Sequence, residues 1–515
     1  MNATACGIGI VGIDGVAVEV QVSHQDGLPG IDITGLPTAS IREARHRVRS
    51  AMRAAGYIWP SKRLIANFAP ADVPKAGTAY DLPLALAVLT LEGQVPSDRI
   101  VDAVFYGELA LDGAVRGVPG AINAALATRE AGRRRLFVAE ASAEEAAAVP
   151  DIEVYGVDSL VTLVRALHGE LVLPRAQAEA LQTGGGGAVD LRYARGQHRA
   201  RRALEVAAAG AHNLLFIGPP GCGKTLLARA LPGILPPMDL EESLEVTRIH
   251  SVCGLTGARS GLVRERPFRA PHASASFVAL VGGGNPPRPG EVSLAHRGVL
   301  FLDETPEFQR AALESLRAPL EDRQVTVSRA NHQFTFPSSF ALVCAMNPCP
   351  CGHRDDPTRA CRCSPRHVEM YRRRLSGPLL DRIDIQVELA PVPAEVLAAS
   401  PDGEPSAVVA ARASAARRRQ LTRNRHKGRA LTNAELGLEA LEHVAPLGEA
   451  ERLHLARAAR VLGLTARSWH RVIRVARTIA DLAGAADIER AHLSEALTYR
   501  VLEREQQAAG MCGAN

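Results

Sequence analysis

Aromatic side chains are scarce. Phe, Trp and Tyr make up 4% of the 515 residues. The cores must therefore be aliphatic, and no aromatic ladder for stacking single-stranded bases is visible. A strong charge of one sign is also missing. The formal net charge is +5, so bulk charge neither demands nor excludes a polyanionic partner, and local clustering has to decide. No stretch has the length or apolar purity of a membrane span. The run Leu82 to Leu91 is too short, contains Pro83 and reads as a buried helix. The N-terminus, Met1-Asn2-Ala3-Thr4-Ala5-Cys6, lacks a basic segment followed by an apolar one. Nine cysteines without an export signal imply reduced thiols. The expectation is a cytoplasmic protein with no membrane partner. Internal repeats are absent as well.

What is present fits a soluble globular chain: 46% hydrophobic and 22% charged residues. The length implies about three domains. Residues 1–173 mix strand and helix patterns. Val16 to Val22 alternates as a strand does, Thr38 to Gly56 reads as a basic helix, and Leu64 to Phe68 reads as a strand. Helices are expected at Asp81 to Leu91 and Gly120 to Ala131, so this zone is α+β. A linker at 174–189 contains Gly184-Gly185-Gly186-Gly187. In residues 190–389, strands such as Leu214 to Ile217, Val299 to Leu302 and Phe340 to Ala345 alternate with helices. That pattern argues for an α/β domain with a parallel sheet. Residues 390–515 read as almost wholly helical.

The central zone carries the chemistry. Gly218-Pro219-Pro220-Gly221-Cys222-Gly223-Lys224-Thr225 follows an apolar strand and precedes a helix, the context a phosphate-binding loop needs. Its backbone N–H groups and the helix N-terminus would cradle phosphate oxygens. Lys224 would reach the β- and γ-phosphates of ATP, and Thr225 would put its hydroxyl on Mg²⁺. A second element supports the first: Gly298-Val299-Leu300-Phe301-Leu302-Asp303-Glu304, a buried strand ending in two carboxylates. Asp303 would hold the Mg²⁺ water shell, and Glu304 would polarise the attacking water.

Three further residues are candidates on position. Asn347 ends the strand after Ala341, where an amide can bond the γ-phosphate or the lytic water. A turn Asn before Pro348 is the plainer alternative. Arg382, in Leu379-Leu380-Asp381-Arg382, is placed to act as an arginine finger on a neighbour's γ-phosphate. The alternative is a surface Asp–Arg pair of little worth. Arg467 leads a run of arginines along a helix and is favoured as the one that reaches back to nucleotide; a solvated basic face is the alternative.

Together these elements resemble an AAA+ ATPase. Longer motifs narrow the likeness: Gly35-Leu36-Pro37, Asn67-Phe68-Ala69-Pro70-Ala71-Asp72, Asp81-Leu82-Pro83, Arg266-Pro267-Phe268-Arg269-Ala270-Pro271-His272, Pro289-Gly290-Glu291-Val292-Ser293-Leu294-Ala295-His296 and Asn347-Pro348-Cys349-Pro350-Cys351-Gly352. They resemble the YifB/ComM family of magnesium-chelatase-like AAA+ proteins, and the likeness covers nearly the whole chain. The resemblance implies a homo-hexameric ring that hydrolyses ATP between subunits. It also implies, from the family's best-understood members, a DNA helicase that drives branch migration in natural transformation. A chelatase-like remodelling ATPase acting on a protein partner is the other reading. One departure is Thr305, where the family usually has Leu, and little effect on hydrolysis is expected.

By the same route the first zone resembles a Lon-type proteolytic domain in the ribosomal-S5-like fold, and the third zone a helical lid. Ala79 stands at the register of the Lon nucleophilic serine and Ile122 at that of its lysine. Ser–Lys chemistry needs a hydroxyl and an amine within reach, so peptidase activity is not expected.

Cys349, Cys351, Cys361 and Cys363 form a C-x-C…C-x-C set, and four thiolates can satisfy tetrahedral Zn²⁺. Free thiols, disulfides and an iron–sulfur cluster are the alternatives, and His353 is a reserve ligand. For DNA, the candidates are Arg329 and His332 in a hairpin-like segment that lines the pore in related ring motors, and Arg269 in a second insertion with Arg264, Arg266 and His272. Packing within the ring is the alternative for all of these. The run Arg412, Arg417, Arg418, Arg419, Arg423, Arg425, Lys427 and Arg429 reads as a solvated or intersubunit face more readily than as a phosphate track.

Overall fold

The computed structural model describes residues 2–35, 38–71, 75–178, 188–256, 261–284, 287–329, 332–354, 359–426 and 429–502. The glycine junction 184–187, Lys427 and Leu36-Pro37 lie outside the described residues. No helix among the described residues is long and apolar enough to cross a membrane.

The chain forms two compact units. The first comprises Met1–Gln182, Leu240–Val263 and Ala330–Phe334. A seven-stranded sheet organises it, in the order Gly30–Thr34, Arg63–Ala69, Asp14–Gln25, Asn2–Val11, Ala103–Tyr106, Arg135–Ala139, Glu153–Val157. The two long N-terminal strands pair antiparallel, and the last three pairings are parallel. Helix Ala39–Ala54 buries Ile41, Ala44, Val48, Ala51 and Met52, one stripe at helical spacing. Helix Asp81–Leu91 is buried on nearly every side, as its uniformly apolar sequence predicts. Its one charge, Asp81, takes a two-pronged bond from Arg47 at 2.7 and 2.9 Å. A buried carboxylate needs such a partner.

Reading contiguously along the chain misses one feature. Helix Leu240–Val252 lies in sequence between the phosphate-loop helix and the carboxylate strand, yet it belongs to the first unit. It packs on helix Ala121–Glu130. Ser251 accepts a hydrogen bond from the Gly120 N–H at 3.0 Å and also bonds Glu145. Thr256 donates to Glu145 at 2.8 Å, and Arg248 pairs with Asp14 at 2.7 Å.

The second unit comprises Thr183–Asp239, Arg264–Arg329 and Thr335–Asn515. Its five-stranded sheet runs Phe268–Arg269, Val299–Leu302, Ala341–Met346, Leu214–Ile217, Ile385–Glu388. Every pairing is parallel. Successive residues serve different cores. Leu214, Phe216, Val299, Phe301, Val343 and Ala345 face one apolar cluster. Leu215, Ile217, Leu300, Leu302, Leu342 and Cys344 face another. Burial on both faces explains why these strands read as unbroken apolar runs. The C-terminal region is helical: Ser406–Arg423, Glu449–Leu462, Ala466–Ala483 and Arg490–Thr498. It packs through Val409, Leu441, Val472 and Leu493 onto the same cluster as the phosphate-loop strand.

Candidate nucleotide site

The parallel sheet brings three strand ends to one edge. Ile217 is paired with Met346, and Leu302 with Cys344. The next residues, Gly218, Asn347 and Asp303, therefore leave the sheet side by side. The central position of Ala341–Met346 sets Asn347 between the loop and the carboxylates. In open α/β sheets, ligands bind at the carboxyl ends of the strands, where these residues lie.

The loop's shape follows from its glycines. Gly221 and Gly223 sit at φ +80° and +95°, values that L side chains rarely adopt. Gly218 is demanded by space instead: a Cβ there would lie 2.8 Å from Cys222 Sγ and 2.8 Å from the Leu389 carbonyl oxygen. Gln197 braces the loop from outside, donating to the Cys222 carbonyl at 3.1 Å and the Ala390 carbonyl at 2.8 Å.

Lys224 opens helix Lys224–Ala230 and is buried. Its Nζ donates to the Gly218 and Pro219 carbonyls at 2.6 and 2.9 Å and to Asn347 Oδ1 at 3.1 Å. Burial lowers its pKa below the ordinary lysine value, against the charges of Asp303 and Glu304. An anion arriving here would restore the favourable setting for the ammonium. Thr225 Oγ1 donates to Asp303 Oδ2 at 2.8 Å. A hydroxyl and a carboxylate oxygen in contact are the donor pair that a hydrated Mg²⁺ takes from such a site, so the residues fit the ion.

Glu304 is exposed, next to Asp303. Its backbone is left-handed at φ +47° and ψ +44°, and its N–H bonds Asp303 Oδ1 at 3.0 Å. A non-glycine residue in that region carries strain and needs anchoring. Thr305 supplies the anchor: its buried hydroxyl lies 2.8 Å from the Leu302 carbonyl and 3.1 Å from the Ala345 carbonyl. Sequence reasoning noticed this threonine only as a departure from a pattern. A hydroxyl immediately after paired carboxylates was the available signal. Tyr371 was missed altogether; its hydroxyl accepts from the Asn347 N–H at 3.4 Å, and burial pushes its pKa up to about 12. Gln197 carried no signal.

Arg382, expected at a neighbour's γ-phosphate, and Arg467, expected to reach back to nucleotide, are both held by contacts within this chain. Arg382 folds back onto Glu321 and donates to the Pro378 carbonyl at 2.6 Å. Its side chain is only 10% exposed. Arg467 is exposed and lies 3.4 Å from Asp381, the residue before Arg382. They share one corner of the unit and bond no phosphate-loop residue among the described contacts.

Cys349, Cys351, Cys361 and Cys363 converge, with all four sulfur atoms within 4.8 Å of one another. His353 is not in the group. N–H groups of His353 and Arg362 lower the Cys351 thiol to about 6.

The DNA candidates fare differently. Gln324–Arg329 and His332–Pro337 form a two-stranded sheet, as the hairpin pattern predicts. The side chains of Arg329 and His332 lie outside the described residues. Arg269 gives its guanidinium to Glu291 in two bonds of 2.6 and 2.8 Å. Arg266 is spent on the Pro236 and Arg297 carbonyls at 2.5 and 2.7 Å. Within the basic run, Arg412 pairs with Glu205 and Glu404, Arg417 bonds two carbonyls of helix His198–Gly210, and Arg423 clasps Asp481. These arginines are internal braces, which neither the solvated-face nor the phosphate-track reading anticipated.

Comparison with known proteins covers almost the whole chain. Residues 18–142 match the family described as subunit ChlI of Mg-chelatase. Residues 190–397 match magnesium chelatase, subunit ChlI, and residues 403–500 match its C-terminal family. The protein named YifB of Salmonella typhimurium is 43% identical over 495 residues, 96% of each chain. Competence protein ComM of Haemophilus influenzae is 42% identical over 499 residues, again 96% of each. YifB of Escherichia coli K12 is 42% identical over 500 residues.

Proposed function

This chain belongs to the YifB/ComM family of magnesium-chelatase-like AAA+ ATPases, and on that premise we propose that it is a homo-hexameric ring motor that works on DNA. In this reading ATP hydrolysis drives branch migration of recombining strands, as in natural transformation, from a cytoplasmic location. ATP with Mg²⁺ is the fuel, and Zn²⁺ on the four thiolates is a structural ion.

One observation carries the hydrolytic part: at the carboxyl ends of the strands Lys224 bonds Asn347 and the next residue, Thr225, bonds Asp303, with Glu304 exposed beside them. Bound Mg²⁺ would neutralise charge on the transferred phosphoryl group. Lys224 would hold the phosphates, Asn347 would orient the γ-phosphate or water, and Glu304 would take the water's proton. Arg382 would act as the finger on a neighbour's nucleotide and Arg467 as the lid arginine. Arg382 would first have to leave Glu321.

The DNA part is supported by full-length likeness to a competence protein. Arg329 and His332 are the pore candidates; Arg269 would have to give up Glu291 to contribute. A chelatase-like ATPase acting on a protein partner is the second reading, favoured by the ChlI descriptions of all three matching segments. The first unit is read as a Lon-like domain without its chemistry, because Ala79 and Ile122 sit in one apolar cluster with Cys6, Val104 and Tyr106.

Purified protein should hydrolyse ATP faster with single-stranded or branched DNA, and should form hexamers under the same conditions. Turnover indifferent to DNA would favour the protein-partner reading. No ATP consumption under any condition would end both.

A further inference from the structure

The four-cysteine cluster lies where it can do more than order a loop. Its loop leaves the sheet at Asn347 and ends at Ser364, whose side chain caps helix Pro365–Arg372. That helix carries Tyr371, which returns to the Asn347 N–H. Cys349 and Cys351 lie two and four residues after Asn347, and Cys361 and Cys363 precede the helix cap. An ion held by all four would therefore close a short circuit through Asn347.

The loop also touches the phosphate loop. A Cβ built on Gly352 would meet the Pro220 ring at Cδ, 2.7 Å away, so Gly352 packs against that proline as closely as a residue without a Cβ can. Cys349 is fully buried.

Three of the sulfurs are spaced close to tetrahedral coordination, and the fourth, on Cys363, lies within 4.8 Å of them. Cys349 and Cys351 are 3.4 Å apart, Cys349 and Cys361 3.7 Å, and Cys351 and Cys361 3.6 Å. Zn–S bonds near 2.3 Å set tetrahedral sulfurs about 3.8 Å apart, whereas a disulfide needs about 2.0 Å. N–H groups of His353 and Arg362 point at Cys351, and that of Cys363 lies 3.5 Å from Cys361 Sγ. Such donors stabilise metal-bound thiolates.

We propose that Cys349, Cys351, Cys361 and Cys363 hold one Zn²⁺ per chain and that this ion is a positioning clip for Asn347 and Pro220, setting the rate of ATP hydrolysis rather than the affinity for ATP. The inference rests on the ATPase reading for its second half only. Binding displaces the thiol protons and needs no redox partner. Without the ion, Asn347 is tethered by its strand, by Tyr371 and by Lys224, and the loop that follows it is left unclamped. Misplacement of such a group by an ångström costs about 100-fold in rate.

The test uses the full chain. Elemental analysis should find one zinc per chain, and Cys361→Ser should lower it severalfold. Co²⁺ added to chelator-stripped protein should give the intense visible bands of a tetrahedral tetrathiolate. Stripping should lower kcat at least about tenfold while binding of a fluorescent ATP analogue changes less than about threefold, and Zn²⁺ should restore turnover. Circular dichroism and thermal melts of the stripped protein guard against simple unfolding. Absence of metal, or iron with acid-labile sulfide in its place, would overturn the site. Full occupancy with turnover unmoved by stripping would overturn the clip. A chain that binds zinc but never hydrolyses ATP would leave the site standing and sink the ATPase reading and the clip with it.

Discussion

Individual side chains at the sheet edge set the sharpest expectations. Lys224 is the positive charge buried against the loop carbonyls. Lys224→Ala should abolish ATP binding in a fluorescent-nucleotide titration, and retained micromolar binding would contradict its role. Glu304→Gln keeps the size and removes the proposed base, so bound ATP should persist uncleaved; rapid phosphate release would refute the assignment. Thr305 is the less obvious case. Its hydroxyl pins a left-handed turn to two strand carbonyls. Thr305→Val should cost about 1–3 kcal/mol of stability and reduce kcat more than KM in steady-state assays. An unchanged kcat would restore the expectation drawn from sequence, that this position matters little. The phosphate loop and the paired carboxylates were legible because their chemistry demands fixed residue types at fixed spacing. Gln197 and Tyr371 were not, since bracing a carbonyl or an N–H is open to many side chains at many distances in sequence.

Elements were legible where burial is symmetrical. The strand Leu214–Ile217 is apolar throughout and the helix Asp81–Leu91 nearly so, apart from Asp81 and Thr90, and the sequence pattern places both at these bounds. The strand Asn2–Val11 was not seen at all. It is rich in small residues because its neighbours press close: a Cβ on Gly7 would meet Pro83, and one on Gly9 would meet the Tyr80 hydroxyl. That demand comes from a helix far along the chain, so no local pattern reveals it. The C-terminal helices are tied to the sheet by a buried polar chain that sequence reasoning also missed. His212 bonds Asp384 at 3.0 Å and Thr478 at 2.7 Å. Thr478 and Asp481 in turn take bonds from Asn433 at 3.0 and 2.8 Å. Burial alone would raise the Asp384 pKa, but His212, Arg471 and Arg474 bring it down to about 2. A depressed carboxylate stabilises the fold above its unfolded value, near 4, and that contribution is lost as pH falls through about 2. It is worth on the order of 2 kcal/mol. The urea midpoint should therefore hold down to about pH 5 and then decline, and Asp384→Asn should flatten the decline. Equal acid slopes in the two proteins would show that the network does not bear on stability.

At the scale of the whole chain, a three-zone reading with breaks at 173, 190 and 389 describes composition well. It cannot see that Leu240–Val263 is packed within the first unit, because spatial membership leaves no trace in local periodicity. A fragment of residues 190–515 would lack helix Ala121–Glu130, against which helix Leu240–Val252 lies. It should be less soluble and melt lower than the same segment within the full chain, read by light scattering and calorimetry. A well-behaved fragment with an unaltered transition would show that this helix needs no partner. If it does need one, neither half can be inherited, swapped or trimmed without the other. A gene fusion joining this ATPase to a foreign N-terminal module would have to transplant helix Leu240–Val252 as well.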